Sequence, residues 1–393
     1  MRRRSNIWKR LLRLVRFSPT LTIISRTHTN VLVIRGRPNN ITRKRYAIFP
    51  ITQRQRKAWQ ELRGISKKAF LRTVLVICVV GVAALAIFYT LASRDYYQRH
   101  QPTLLKIPPR FLYPIAEDRS GRITNPLGVF VAGGRLYIAA DGRVVITSRE
   151  GRVEWSLKLA DKTKNNAGLS PRAVILDRFG RIYVSAGPKK NRIFVYDANG
   201  DFKYFFPRQI TPVDGTNSSR LRKVINPVGL NYADGLIYVT DVGDQTVKTF
   251  SLGGDLKRKI GGPGVAPAEF QYPHATVRAG DGRIYVADSN NSRVQVFNKK
   301  GKYLSLLKPP EKEKFSLPRG LAIDRLGRIH VVDALKSRVY VFSPDHRFLF
   351  TYGSGQKNEG NLAYPNSIFI DRDTGLIFIA DRLNNRVAVW AQK

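Results

Sequence analysis

The sequence predicts an all-β domain, a six-bladed β-propeller, preceded by one transmembrane helix and a basic N-terminal segment. Three observations predict it. A pattern with a period in the mid-forties recurs six times, one charge-free apolar run has bilayer length, and the stretch before that run is almost free of acids. The boundaries read 1–72 for the basic segment, 73–92 for the helix, 93–103 for a stalk and 104–393 for the propeller.

The basic segment holds twenty Lys and Arg against one acid, Glu61. Its first seventeen residues place Ile7, Trp8, Leu11, Leu12 and Val15 at helical spacing among arginines. That fits a helix lying on an anionic membrane surface, and equally resembles a mitochondrial presequence. Residues 20–52 contain alternating apolar runs that would suit a small antiparallel sheet. Thr73 to Ala92 then runs without a charge between Arg72 and Arg94. About twenty residues at helical rise span a bilayer core. The basic excess on its N-terminal side places that end in the cytoplasm and the propeller outside it. A signal peptide cleaved after Ala92 is the alternative, but such peptides begin near the N-terminus. The lone cysteine, Cys78, lies in this run, so the chain forms no internal disulfide.

The six copies open at Pro126, Pro171, Pro227, Pro273, Pro318 and Pro365, spaced 45, 56, 46, 45 and 47 residues apart. After each proline come a short apolar strand, a Gly/Asp turn, a second strand such as R-I-Y-V-A-D from Arg283, and a third such as R-V-Q-V-F from Arg293. A period of this length with several short strands marks propeller blades. An outer strand follows in five copies: Arg152–Lys158, Asp201–Pro207, Asp255–Gly261, Lys302–Lys308 and Arg347–Gly353. The sixth copy has none before Lys393. R-F-L-Y-P-I-A from Arg110 is similar to R-F-L-F-T-Y-G from Arg347, so Arg110–Ala116 is expected to supply the sixth outer strand and leave no edge unpaired.

N-S-R-V-Q-V-F from Asn291, P-R-G-L-A-I-D from Pro318 and A-D-R-L-N-N-R-V from Ala380 resemble the NHL repeat. The resemblance spans roughly Leu104 to Lys393 and is weakest in the first two copies, where Ser185-Ala186 replaces alanine-aspartate. It implies a six-bladed propeller. Most members of that family bind something; a minority are lyases or lactone-cleaving enzymes. Related amidating lyases carry zinc-binding histidines just after the opening proline. Here that position is Leu127, Arg172, Val228, His274, Arg319 and Asn366, a single histidine where zinc needs three or four ligands. No metal, cofactor or catalytic residue is therefore expected. Asp141, Asp241, Asp288, Asp333 and Asp381 end their second strands. Their recurrence predicts a structural duty, capping the turn into the third strand through backbone N–H groups. His330, inside a strand, reads as core or surface.

What varies between copies points to function. The residues after the prolines should line the channel mouth, with Arg172, His274, Arg319 and Asn366 making it polar and electropositive. Neighbouring loops add Lys162, Lys164, Lys312 and Lys314, and the long second repeat adds Arg220, Arg222 and Lys223. The candidate binding set is thus Arg172, Arg222, His274, Arg319 and Asn366. Neither Arg172 nor Arg319 belongs to the repeat core, so both are expected to be dispensable for folding. The net charge is +40, and residues from 101 onward still carry 46 Lys and Arg against 26 Asp and Glu. Such a surface favours anionic partners.

The reading is a cell-membrane protein whose external propeller binds an acidic protein or anionic envelope polymer, within a membrane complex or on the envelope. A hydrolase or lyase at the mouth is one alternative. Another is a nucleic-acid-binding propeller, disfavoured by the predicted topology and reopened if the compartment is mitochondrial.

Overall fold

The computed structural model describes residues 106–118, 121–159, 169–188, 191–208, 224–354 and 359–392, together with positions 53, 75–76, 79–85 and 88. The chain divides into two compact units, 1–101 and 102–393. In the first unit the described positions are helical, and Leu75, Val76, Val79, Val80, Val82, Leu85 and Phe88 are exposed. Among the described residues no helix is long and apolar enough to cross a membrane. The expectations for the rest of 1–103 fall outside the described residues.

The second unit is a ring of six four-stranded antiparallel sheets. Blade 3 is representative. Pro227–Ala233 lies innermost, followed outward by Leu236–Asp241, Thr246–Ser251 and Leu256–Ile260. Each predicted outer strand is present, one residue shorter at each end in four of the five copies. The sixth sheet takes its outer strand from the start of the domain. Arg110–Ile115 pairs antiparallel with Arg386–Ala391, with Ile115 opposite Val387 and Phe111 opposite Trp390. Closure through the N-terminal strand therefore holds.

The apolar patterning follows from this geometry. A blade packs on neighbours through both faces, so its middle strands are apolar on both sides rather than alternating. Six apolar clusters result, one at each seam. Between blades 3 and 4, Tyr238, Val247 and Ile260 meet Phe270, Ile284, Val286 and Phe297. His330 lies in such a core, fully buried between Tyr352 and Asp324. Asp324 Oδ2 also receives Arg328 Nε at 2.5 Å and Gln392 Nε2 at 2.9 Å, which ties the last described residue of blade 6 back to blade 5. Desolvation would raise the Asp324 carboxyl, but His330 and Arg328 together hold it well below the usual carboxylate range.

The recurrent aspartates are structural, but their principal partners differ from expectation. They reach the linker ahead of the first strand as well as the turn. Asp241 accepts from the Ile225 and Asn226 amides, both at 2.8 Å, and from Gly243 at 3.0 Å. Asp333 accepts from Ser316 and Leu317, Asp288 from Gln271, and Asp381 from Ala363. The reason is the opening proline. Pro227 lies opposite Asp241 in the ladder and has no N–H to offer, so the carboxylate binds the preceding amides. A cation completes the clamp: Arg293 on Asp288, Arg386 on Asp381, each at 2.7 Å. In blade 3 Thr246 leads the third strand, and Lys248 supplies the charge from two residues on, buried at 2.7 Å from Asp241.

Trp390 measures the closure. It is 1 % exposed and meets Phe111 of the closing strand edge to face at 5.6 Å and Tyr352 of blade 5 at 5.1 Å. Truncating a buried tryptophan costs about 3–5 kcal/mol. Trp390→Ala should lower the urea midpoint of the propeller accordingly, and removal of residues 1–118 should lower it further. An unchanged midpoint in either protein would mean that the closing strand does not support the ring.

Candidate functional site

The site forms where the six first strands begin, and a backbone irregularity builds it. In blades 2 to 6 the ladder skips the residue after the opening proline. Pro273 lies opposite Asp288, yet the next paired residue is Ala275, opposite Ala287. Blades 2, 3, 5 and 6 shift at Pro171/Ala173, Pro227/Gly229, Pro318/Gly320 and Pro365/Ser367. The skipped residues are Arg172, Val228, His274, Arg319 and Asn366. A bulge leaves its extra residue outside the pairing and re-aims its side chain. In blade 1 Leu127 precedes the strand, and its amide still donates to the Ala139 carbonyl at 2.8 Å.

All six residues line one cavity of about 500 Å³ along the propeller axis. Four of the five candidate residues, Arg172, His274, Arg319 and Asn366, are thus brought together. Arg222 lies outside the described residues, as do Lys162, Lys164, Arg220 and Lys223. Lys312 and Lys314 are exposed on the linker before blade 5 and do not line the cavity.

The mouth side chains bridge neighbouring blades. Arg172 Nη1 donates to Asn226 Oδ1 at 2.5 Å. His274 Nδ1 donates to the Arg319 carbonyl at 3.1 Å, Arg319 Nη1 donates to Asn366 Oδ1 at 2.7 Å, and Asn366 Nδ2 donates to the Leu127 carbonyl at 2.6 Å. Each bond crosses a seam. This revises the expectation that Arg172 and Arg319 are idle in folding: alanine at either position removes an inter-blade bond.

The charges are nonetheless uncompensated. Among the described residues, neither Arg172 nor Arg319 has a carboxylate partner, and Arg319 Nε is buried without an acceptor. Burial pulls both guanidinium pKa values down, although arginine stays charged at any physiological pH. His274 is pushed down to about 3, first by burial and then by the Arg319 charge. At neutral pH the mouth therefore carries two cations and a neutral imidazole.

Two tyrosines complete the rim and escaped sequence reasoning. Tyr272 and Tyr364 precede opening prolines with φ of 54° and 53°, a left-handed conformation uncommon for aromatic residues. The Arg319 guanidinium lies 5.2 Å from the Tyr364 ring centre, and that of Arg382 lies 5.6 Å away. Tyr272 is close enough to influence both Arg172 and Arg319. Their Tyr-Pro dipeptides were visible in the sequence, but nothing there distinguished them from spacers. Among the described residues, no three His, Cys, Asp or Glu side chains gather as metal ligands.

A family model for the NHL repeat matches residues 270–297, the linker end and first three strands of blade 4. No curated protein matches the chain. Of solved structures, a streptogramin B lyase is 12 % identical, covering 72 % of this chain and 98 % of its own, with a TM-score of 0.50. A protein of unknown function from Bacteroides thetaiotaomicron is 17 % identical, covering 72 % of each chain, also at 0.50. Virginiamycin B lyase from Staphylococcus aureus with quinupristin is 14 % identical over 73 % of this chain and 89 % of its own, at 0.48. These likenesses show a propeller fold shared with the first two and extend no further.

His274 offers a pH test. Its folded pKa lies below the roughly 6.5 of a free histidine, so the unfolded chain binds a proton first as pH falls. Stability contributed by the neutral imidazole is present above about 6.5 and declines below it. The His274 ring signal in an NMR titration should keep its neutral position down to pH 5. A midpoint near 6.5 would contradict the buried, cation-flanked setting.

Proposed function

We propose that this chain is a membrane-anchored binding protein, not an enzyme, whose external propeller takes an anionic group at its channel mouth. One observation carries the reading. Two half-buried arginines face a common cavity, among the described residues neither is paired with a carboxylate, and one has an orphaned N–H. Buried charge without a counter-charge is costly, and an incoming carboxylate or phosphate would relieve that cost. Arginine suits both, through paired N–H donors. The rim tyrosines supply rigid, amphipathic contact area.

The partner class follows from charge: an acidic protein surface or an anionic envelope polymer, held by a propeller whose sequence is basic throughout. The anchor is the apolar run at 73–92, whose described helical residues expose leucine, valine and phenylalanine. The basic segment before it sets the N-terminus in the cytoplasm. A reaction at the mouth would call on His274 as acid or base. Its depressed basicity leaves it a poor base, and its Nδ1 proton is already committed to the Arg319 carbonyl.

The test has two arms. Protease added outside intact cells should remove the propeller and spare residues 1–72; a protected propeller contradicts the topology. The purified full chain should bind a polyuronate resin at low salt and elute as ionic strength rises, because charges are screened over about 8 Å at physiological salt. Arg172→Gln/Arg319→Gln should elute at least twofold earlier in salt concentration. Equal elution would exclude the mouth as the site.

A further inference from the structure

We propose that the group entering this channel is the charged head of a small amphiphilic anion, whose apolar body descends the axis onto Phe130 and Phe369. The inference rests on the mouth being an anion site and names the ligand that site would take.

The levels of the channel carry it. Directly beneath the mouth lie Gly128, Ala173, Gly229, Ala275, Gly320 and Ser367. All are small, because here neighbouring blades approach most closely. Three residues past the mouth positions, Phe130, Asn231 and Phe369 are part-exposed, while Ile175, Val277 and Ala322 are buried in the seams between blades. At about 3.3 Å per residue this level lies about 10 Å below the mouth. Phe130 and Phe369 meet edge to face with centroids 4.8 Å apart, both only partly buried.

Charge returns only at the far end. There Asp234 is paired with Arg278, and Asp371 with Arg149 at 2.8 Å. These two carboxylates are thus already matched; Arg372 and Asp373 also line this end, Arg372 Nε donating to the Ile323 carbonyl. A cavity of about 500 Å³ lies in the size range of small-molecule sites. A purely ionic ligand such as phosphate would use the arginines and leave the aromatic level unused. An apolar molecule without charge would leave Arg319 Nε unpaired. A carboxylate or phosphate head on an aromatic or aliphatic body of about ten atoms satisfies both levels.

The experiment uses the full chain in nanodiscs of zwitterionic lipid, with empty nanodiscs subtracted, and ligand-observed NMR titration. The probes are 4-phenylbutyrate, 4-phenylbutyl phosphate, acetate, inorganic phosphate, 4-phenylbutanol and 4-phenylbutylamine. Expected is a dissociation constant for 4-phenylbutyrate or its phosphate counterpart at least tenfold below those of acetate, phosphate and the alcohol, with the amine weakest. The better of the two headed probes identifies the head. Phe369→Ala should weaken the phenyl probes and leave inorganic phosphate unchanged, whereas Arg319→Gln should weaken every anion. If either variant fails to fold, the wild-type ranking decides alone. Acetate or phosphate binding as tightly as the phenyl anions would overturn the apolar subsite while leaving the anion-binding mouth intact. No measurable binding of any anion would overturn both.

Discussion

Six first strands must meet around one axis, and that convergence governs the propeller and its site. Where neighbouring strands come closest, a side chain would collide with the next blade's backbone. A Cβ on Gly128 would lie 2.7 Å from the Arg172 carbonyl oxygen, and one on Gly229 would press on that of His274. The belt below the mouth is therefore glycine, alanine or serine in every blade. One residue earlier the ladder bulges, and the displaced residue is relieved of pairing. Its carbonyl becomes an acceptor for the neighbour, as the Arg319 carbonyl does for His274. Its side chain is freed to vary, so chemistry can differ between blades at that level while the belt beneath cannot.

In blades 3 to 6 the aspartate clamp holds the amides just before the bulge and ties the entry of the first strand to the second and third. Blade 2 lacks the carboxylate, with Ala186 in its place opposite Pro171. There the Arg172 guanidinium lies over Gly187, where any Cβ would strike it. A cation thus occupies the region that a clamp would otherwise organise, and it reaches across to Asn226 of blade 3. The departure from the repeat and the candidate binding residue are one feature.

Much of this was legible in the sequence. The period, the strand order and the closing strand follow from Pro365, Arg386 and the likeness of Arg110–Ala116 to Arg347–Gly353, because blade packing imposes the same apolar pattern each time. The mouth positions were legible by contrast, as the places where the pattern lapses. Their bonding was not, since their acceptors include backbone carbonyls of the next repeat, which no side-chain pattern encodes. The clamp was half legible. Recurrence marked Asp241 and Asp381 as structural, but only the register, which sets each opposite a proline, explains why they bind the linker. Phe130 and Phe369 read as ordinary strand residues, because their meeting joins the first and last blades across 239 positions.

The most direct measurement is a crystal of the protein soaked in selenate, with anomalous differences recorded at the selenium edge. The account predicts a peak at the channel mouth within hydrogen-bond reach of Arg319 Nε and facing Arg172. Selenate bound at other basic surfaces with an empty mouth would contradict it, because the two guanidiniums would then be content without a counter-charge.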